Sequence, residues 1–163
     1  MSAHSAPQQS GFTLIEMVVT VAIVGLLASV AVPLAEVGMQ RSKEQELRLA
    51  LREIRSALDA YMQAVEEGRI EHSAEKPEYP ESLNVLVEGV PDMTSPDRNK
   101  RIYFLRRIPR DPMFPDPTRP DEETWGKRSY ESSHDAPEEG ADVYDVYSLA
   151  QGIGLNGIPY KEW

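Results

Sequence analysis

The chain is 163 residues long, 40% hydrophobic, and carries 27 acidic against 17 basic residues for a formal net charge of −10. That length holds one domain with an appended segment and excludes a large multidomain enzyme, while the charge excludes a protein that works by neutralising nucleic-acid phosphates. The absence of cysteine removes thiol catalysis, iron–sulfur ligation, cysteine-based zinc sites and disulfides together.

Mean hydropathy is negative, yet the apolar residues are concentrated at one end. Met17 to Ala35 is nineteen residues without a charge, and at about 1.5 Å per residue it matches a hydrocarbon core of roughly 30 Å. Only Thr20 and Ser29 interrupt it, so it lacks the polar stripe of a soluble helix. It reads as a transmembrane helix. A secretory signal peptide is the other reading, with Ala28, Ala31 and Ala35 as cleavage candidates, but no Lys or Arg precedes the run.

The residues before the run decide between these. Ser10-Gly11-Phe12-Thr13-Leu14-Ile15-Glu16 sets a glycine, an aromatic residue and one acid at the membrane edge, and it resembles the type IV prepilin signal. The resemblance implies cleavage after Gly11 on the cytoplasmic side and N-methylation of the new terminus, Phe12, by the same peptidase. It also implies that Glu16, four residues on, pairs in an assembled filament with the Phe12 amine of another subunit. Independently, a charge at full membrane depth costs roughly 2.5–3.5 kcal/mol and needs a partner. Pro33 removes a helix hydrogen bond and is expected to kink or locally melt the helix, with Gly25 and Gly38 adding flexibility. The positive-inside rule alone would place Arg41, Lys43, Arg48 and Arg52 in the cytoplasm, whereas the resemblance puts the leader there and the rest of the chain in the periplasm of a bacterial inner membrane.

Beyond the span, Leu47, Leu51, Ile54, Leu58, Tyr61 and Val65 recur at spacings of 4, 3, 4, 3 and 4, one apolar helical stripe. Glu44 and the other charges of this stretch are assigned to the solvated remainder. The helical pattern from Phe12 to Val65 would be about 80 Å long if continuous, with Gly68 as its stop. The heptads suit a coiled-coil dimer, but packing the following hundred residues onto the stripe gives those residues a core.

Ten of the thirteen prolines lie between Pro77 and Pro137, so this region is rich in loops. Tyr79–Leu86 reads as a short helix opened by Pro80, and Ile102–Leu105 is a short apolar run. Lys127–Glu131 and Val143–Tyr147 read as strands joined by an acidic loop with Pro137 and Gly140. The expected fold is α+β, a long N-terminal helix packed on a small antiparallel β-sheet domain with Pro-rich loops. Its divisions are a leader at 1–11, a transmembrane or filament-core helix at 12–35, an amphipathic continuation at 36–67 and a globular part at 68–163. The order Tyr79-Pro80, Leu83, Leu86, then Ile108-Pro109-Arg110-Asp111-Pro112, Trp125-Gly126, Tyr130 and Tyr144–Ser148 resembles the globular domain of the major pseudopilin of type II secretion systems. That resemblance implies a pilin-like fold and a filament subunit that polymerises with itself and related pseudopilins. The partners implied are a prepilin peptidase, an assembly ATPase, a platform protein and membrane lipid, with no nucleic acid.

Major pseudopilins continue into an acidic calcium-binding loop. Here the sequence is Leu149–Gly157, with Gln151 at the expected acid, and Asp142, Asp145 and Asn156 as weak candidates; calcium commonly takes several carboxylates, so no cofactor is expected. Gly152-Ile153-Gly154-Leu155-Asn156-Gly157 matches the dinucleotide fingerprint but lacks the βαβ context it needs. It reads as a glycine-rich turn. His4, His72 and His134 are far apart in sequence, and no spacing identifies a catalytic pair. The chain is expected to be a structural subunit and not an enzyme. A type IV pilin, major or minor, and a monomeric membrane-tethered binding module are the alternatives.

Overall fold

The computed structural model describes residues 11–73, 77–97 and 99–163; most of the expected leader, with His4, lies outside them. The elements are α1 (Leu14–Glu66), α2 (Leu83–Glu88), β1 (Val90–Pro91), β2 (Arg101–Ile102), β3 (Trp125–Arg128) and β4 (Asp145–Ser148), with 3₁₀ turns at Asp121–Thr124 and Tyr160–Glu162. The chain divides into two compact units after Gln40.

In the first unit every described residue from Gly11 to Met39 is exposed, the apolar residues of the expected span among them. An exposed apolar surface of this size calls for lipid or protein around it. Pro33 lies inside α1, and the helix continues on both sides of it. Its two hydroxyls inside the span are absorbed by the helix itself. Thr20 Oγ1 donates to the Glu16 carbonyl at 2.7 Å and Ser29 Oγ to the Leu26 carbonyl at 2.7 Å, which leaves neither as an unpaired polar group in an apolar setting.

The second unit, Arg41–Trp163, has its own core. Leu47, Leu51, Ile54 and Leu58 of α1 are buried, as the stripe predicts, with Ala50 and Ala57 beside them. They pack with Leu83 and Leu86 of α2, Leu105, Ile108, Trp125, Val143 and Val146, and the Tyr61 and Phe104 rings meet at 5.4 Å. The stripe is therefore covered by the chain's own globular residues and not left for a coiled-coil partner. Helix α1 ends in a Schellman arrangement. Gly68 has φ +69, its N–H donates to the Val65 carbonyl, and that of Arg69 to the Ala64 carbonyl, both at 2.9 Å.

The antiparallel structure is two separate two-stranded ladders, β1–β2 and β3–β4, and the ends of each expected strand of the second are displaced by one to three residues. Trp125 pairs with Ser148 and Arg128 with Asp145. Val143 was expected in the strand, but its N–H donates instead to the Pro80 carbonyl at 2.8 Å. Likewise Ser129 leaves the ladder because its N–H donates to the Glu138 carbonyl at 3.0 Å. Pro80, buried and serving as that anchor, does not open α2, which starts three residues later at Leu83. Of the run Ile102–Leu105 only Ile102 is in a strand; the amides of Phe104 and Leu105 both donate to the Leu86 carbonyl at 3.0 Å.

Candidate assembly site

The residues named from sequence at the start of α1 form a defined hydrogen-bonded cap. Gly11, Phe12 and Thr13 precede the helix. The Glu16 amide donates to Thr13 Oγ1 at 3.3 Å, while the Thr13 amide and hydroxyl both donate to Glu16 Oε2 at 3.2 Å. This is a reciprocal capping box, in which the first and fourth residues of Thr-x-x-Glu satisfy each other's amides. The carboxylate also lies at the positive end of the helix dipole. Within one chain, then, the partner of Glu16 is Thr13, a role the sequence reading missed although the Thr13-x-x-Glu16 spacing signals it. Phe12 stands 82% exposed. A side chain at Gly11 would meet nothing within 4 Å, so the space around this position does not require a glycine.

The remaining candidates are not gathered into a site. Asp142 Oδ1 accepts from the Tyr130 amide at 3.0 Å, Asp145 accepts from Arg55 Nε at 2.8 Å and faces Arg128 at 3.5 Å, and Asn156 Oδ1 accepts from the Ile158 amide at 3.1 Å. Each is engaged within the protein, and among the described residues no group of three His, Asp or Glu side chains is placed to hold a metal ion. His134 is exposed beside Asp135. The Gly152–Gly157 run folds as a turn, closed by Gly157 N–H donating to the Gly154 carbonyl at 2.8 Å and bridged from Ile153 to Pro159.

Among the described residues three carboxylates are buried that were not foreseen, Glu44, Asp92 and Asp111. Glu44, placed among the wet charges from sequence, is only 5% exposed. Its Oε1 accepts from the Leu155 amide at 2.8 Å and the Tyr160 hydroxyl at 3.1 Å. Position 44 stands three residues before Leu47, which continues the apolar stripe backwards, so spacing alone could have found it. Asp111 is fully buried; its Oδ2 accepts from Ser148 Oγ at 2.6 Å and its Oδ1 from the Met113 amide at 2.7 Å. Burial pushes the Asp111 carboxyl above the ordinary aspartate value, and the hydrogen bonds from Ser148, Met113 and Phe114 pull against that rise.

Comparisons with known proteins agree with this placement. Residues 7–32 match the family model of the prokaryotic N-terminal methylation motif. The chain is 31% identical over 105 residues to a type II secretion system core protein G of Pseudomonas aeruginosa, covering 64% of this chain and 68% of that protein. Proteins of the same name from Pectobacterium carotovorum and Klebsiella pneumoniae are each 30% identical over 113 residues, covering 69% and 67% of this chain and 67% and 72% of their own lengths. No solved structure matches the chain. A methylation-type start, an exposed apolar helix capped by Thr13 and Glu16, and relatives of one name across about two thirds of their length converge on one conclusion: the chain belongs to the family of type II secretion system core protein G, and is a type IV pilin-like pseudopilin subunit.

Proposed function

We propose that the subunit is held in the bacterial inner membrane by α1 with its amino terminus cytoplasmic and its globular unit periplasmic. A prepilin peptidase cuts after Gly11 and methylates Phe12, and the subunit then polymerises through α1 into a pseudopilus that supports protein export. The observation that carries the proposal is the capped start of α1: Thr13 and Glu16 close the helix end directly after Gly11-Phe12, in front of an apolar surface with no cover of its own. Gly11 faces open space, so a requirement for glycine there belongs to the enzyme that reads it. In the filament the Phe12 amine of a neighbour meets Glu16, which already bears two hydrogen bonds from Thr13 and has lone pairs left to accept. An assembly ATPase and a platform protein drive the step, and the protein itself contributes packing and no bond chemistry. Calcium has no part in this reading.

The test is the intact mass and amino-terminal sequence of the membrane-extracted protein, beside a Gly11→Val control. The expected result is a chain that starts at methylated Phe12 and is lost in the control. A chain that keeps its leader, or is cut beyond Ala28, overturns the proposal. Replacing Glu16 with Ala then separates assembly from anchoring: it abolishes filament incorporation of a polymerising subunit, and leaves a monomeric tethered module functional.

A further inference from the structure

The chain as a whole is strongly acidic, yet the stretch after the apolar run is the reverse. Arg41, Lys43, Arg48 and Arg52 are exposed, and Glu46 is the one exposed acid among them, since Glu44 is buried. The loop after β4 is fastened to this stretch. The Leu155 amide and the Tyr160 hydroxyl both donate to Glu44, and the Arg48 guanidinium lies 4.4 Å from the centre of the Trp163 ring. The fastening sets apolar side chains beside the cations: Ile153, Leu155 and Ile158 are 63%, 45% and 44% exposed. Arg48, Arg52, Ile158 and Trp163 line one open groove of about 320 Å³, together with Leu51, Arg55, Asn156 and Glu162.

Cations, exposed aliphatic side chains and an indole together match a membrane interface. The apolar groups enter the acyl boundary, Trp sits at headgroup level, and Lys and Arg meet lipid phosphates. The chain itself supplies the proximity. Glu44 follows Ala35, the end of the apolar run, by nine residues, which extend over no more than about 30 Å. A bilayer that holds the run is thus always within reach, and the weak individual contacts act at high effective concentration.

We infer that Arg41, Lys43, Arg48 and Arg52, with Leu155, Ile158 and Trp163, form a surface that rests on anionic phospholipid headgroups while the subunit is unassembled. The inference rests on membrane anchoring by α1, and holds for either leaflet.

The full chain is reconstituted, at high lipid-to-protein ratio, into vesicles of phosphatidylcholine with or without phosphatidylglycerol, containing lipids brominated high on the acyl chains. Bromine quenches nearby indoles; Trp125 is 2% exposed and buried in the core, and Trp163→Phe supplies the baseline. The expected result is quenching of Trp163 in the anionic vesicles and less in the zwitterionic ones. Each of Arg41→Gln, Lys43→Gln and Arg52→Gln lowers the docked-to-undocked ratio about fivefold, and Leu155→Ser with Ile158→Ser lowers it further. All five side chains are exposed, and near-ultraviolet circular dichroism checks that the fold is kept. Trp163 quenched no more than the baseline in vesicles that float with the protein overturns the inference. Quenching that rises with the protein-to-lipid ratio also overturns it, since a second copy is then the occupant. Protein that does not float with vesicles at high salt marks a failure of anchoring instead, and overturns the inference with it.

Discussion

Asp111 shows how a single buried side chain ties loops to a strand in a domain with little regular structure. Its carboxylate takes Ser148 Oγ of β4 at 2.6 Å and its own turn's amide at 2.7 Å, and its amide donates to Thr124 Oγ1 at 3.2 Å. The Trp125 indole donates to the Pro109 carbonyl at 2.7 Å beside it. Because burial raises the folded carboxyl above the ordinary value of 3.8, the folded chain holds a proton that the unfolded chain has released across the window just above that value. Stability from this group is therefore present below the ordinary aspartate pKa and falls as pH rises through the raised one. Asp92 behaves in the opposite sense. Hydrogen bonding from Thr94 holds its carboxyl down, so its contribution is present above the ordinary value and is lost as pH falls below it. Urea melts of Asp111→Asn and the parent across the mildly acidic range check this: the variant gains on the parent as pH rises, and parallel curves would contradict the assignment. Gly126 is a second such position. It lies opposite Tyr147 in the β3–β4 ladder, and a Cβ there would run into the Tyr147 ring. Gly126→Ala is expected to cost about 1–3 kcal/mol, the usual range for overpacking, read from the same melts.

Arg55 does for the elements what Asp111 does for the loops. From the last quarter of α1 its Nε donates to Asp145 Oδ1 at 2.8 Å, and its Nη2 donates to the Val146 carbonyl at 3.0 Å and the Trp163 carbonyl at 2.8 Å. One planar fork thus fixes helix, strand and final turn together, which the point charge of lysine does not reproduce. Arg55→Ala is expected to lower stability by about 1–3 kcal/mol, since charged hydrogen bonds to two carbonyls and a carboxylate are lost, and Arg55→Lys is expected to recover only part of it; equal melting points for parent and alanine variant would refute the role. The sequence located α1, its stripe and its stop at Gly68 because those features are local and periodic. It located β3 and β4 as elements but misplaced their ends, because the ends are set by distant partners: the Pro80 carbonyl for Val143, and the Glu138 carbonyl for Ser129. The ladder β1–β2 rests on two residue pairs, too few for any alternation to show. Glu44 and Arg55 were read as solvated because charge outweighed position, although Glu44 continues the stripe. At the helix start the residues Gly11, Phe12 and Glu16 were legible as a motif, while the Thr13 cap was hidden inside it.

The division of the chain at Gln40 has a thermodynamic meaning for the whole molecule. Among the described residues the core cluster lies between Leu47 and Tyr160, and none of those before Arg41 belongs to it. The first forty residues include Glu16 and Glu36 and no Lys or Arg, which leaves nearly all of the acidic charge, and the solubility it confers, with residues 41–163. The two units therefore answer to different environments: the first exposes an apolar surface that calls for lipid or neighbouring helices, the second has a core of its own. A fragment starting at Arg41 is expected to be soluble without detergent and to unfold in one cooperative transition, as single domains of this size do. It retains Glu44 with its Leu155 and Tyr160 contacts, so the exposed start of its helix is pinned within one turn. Calorimetry of the fragment beside the full chain in detergent is the check. Matching transition temperatures mean that α1 carries assembly and folding on separate halves, whereas a broad, non-cooperative melt of the fragment would show that the apolar half is needed to hold the globular unit together.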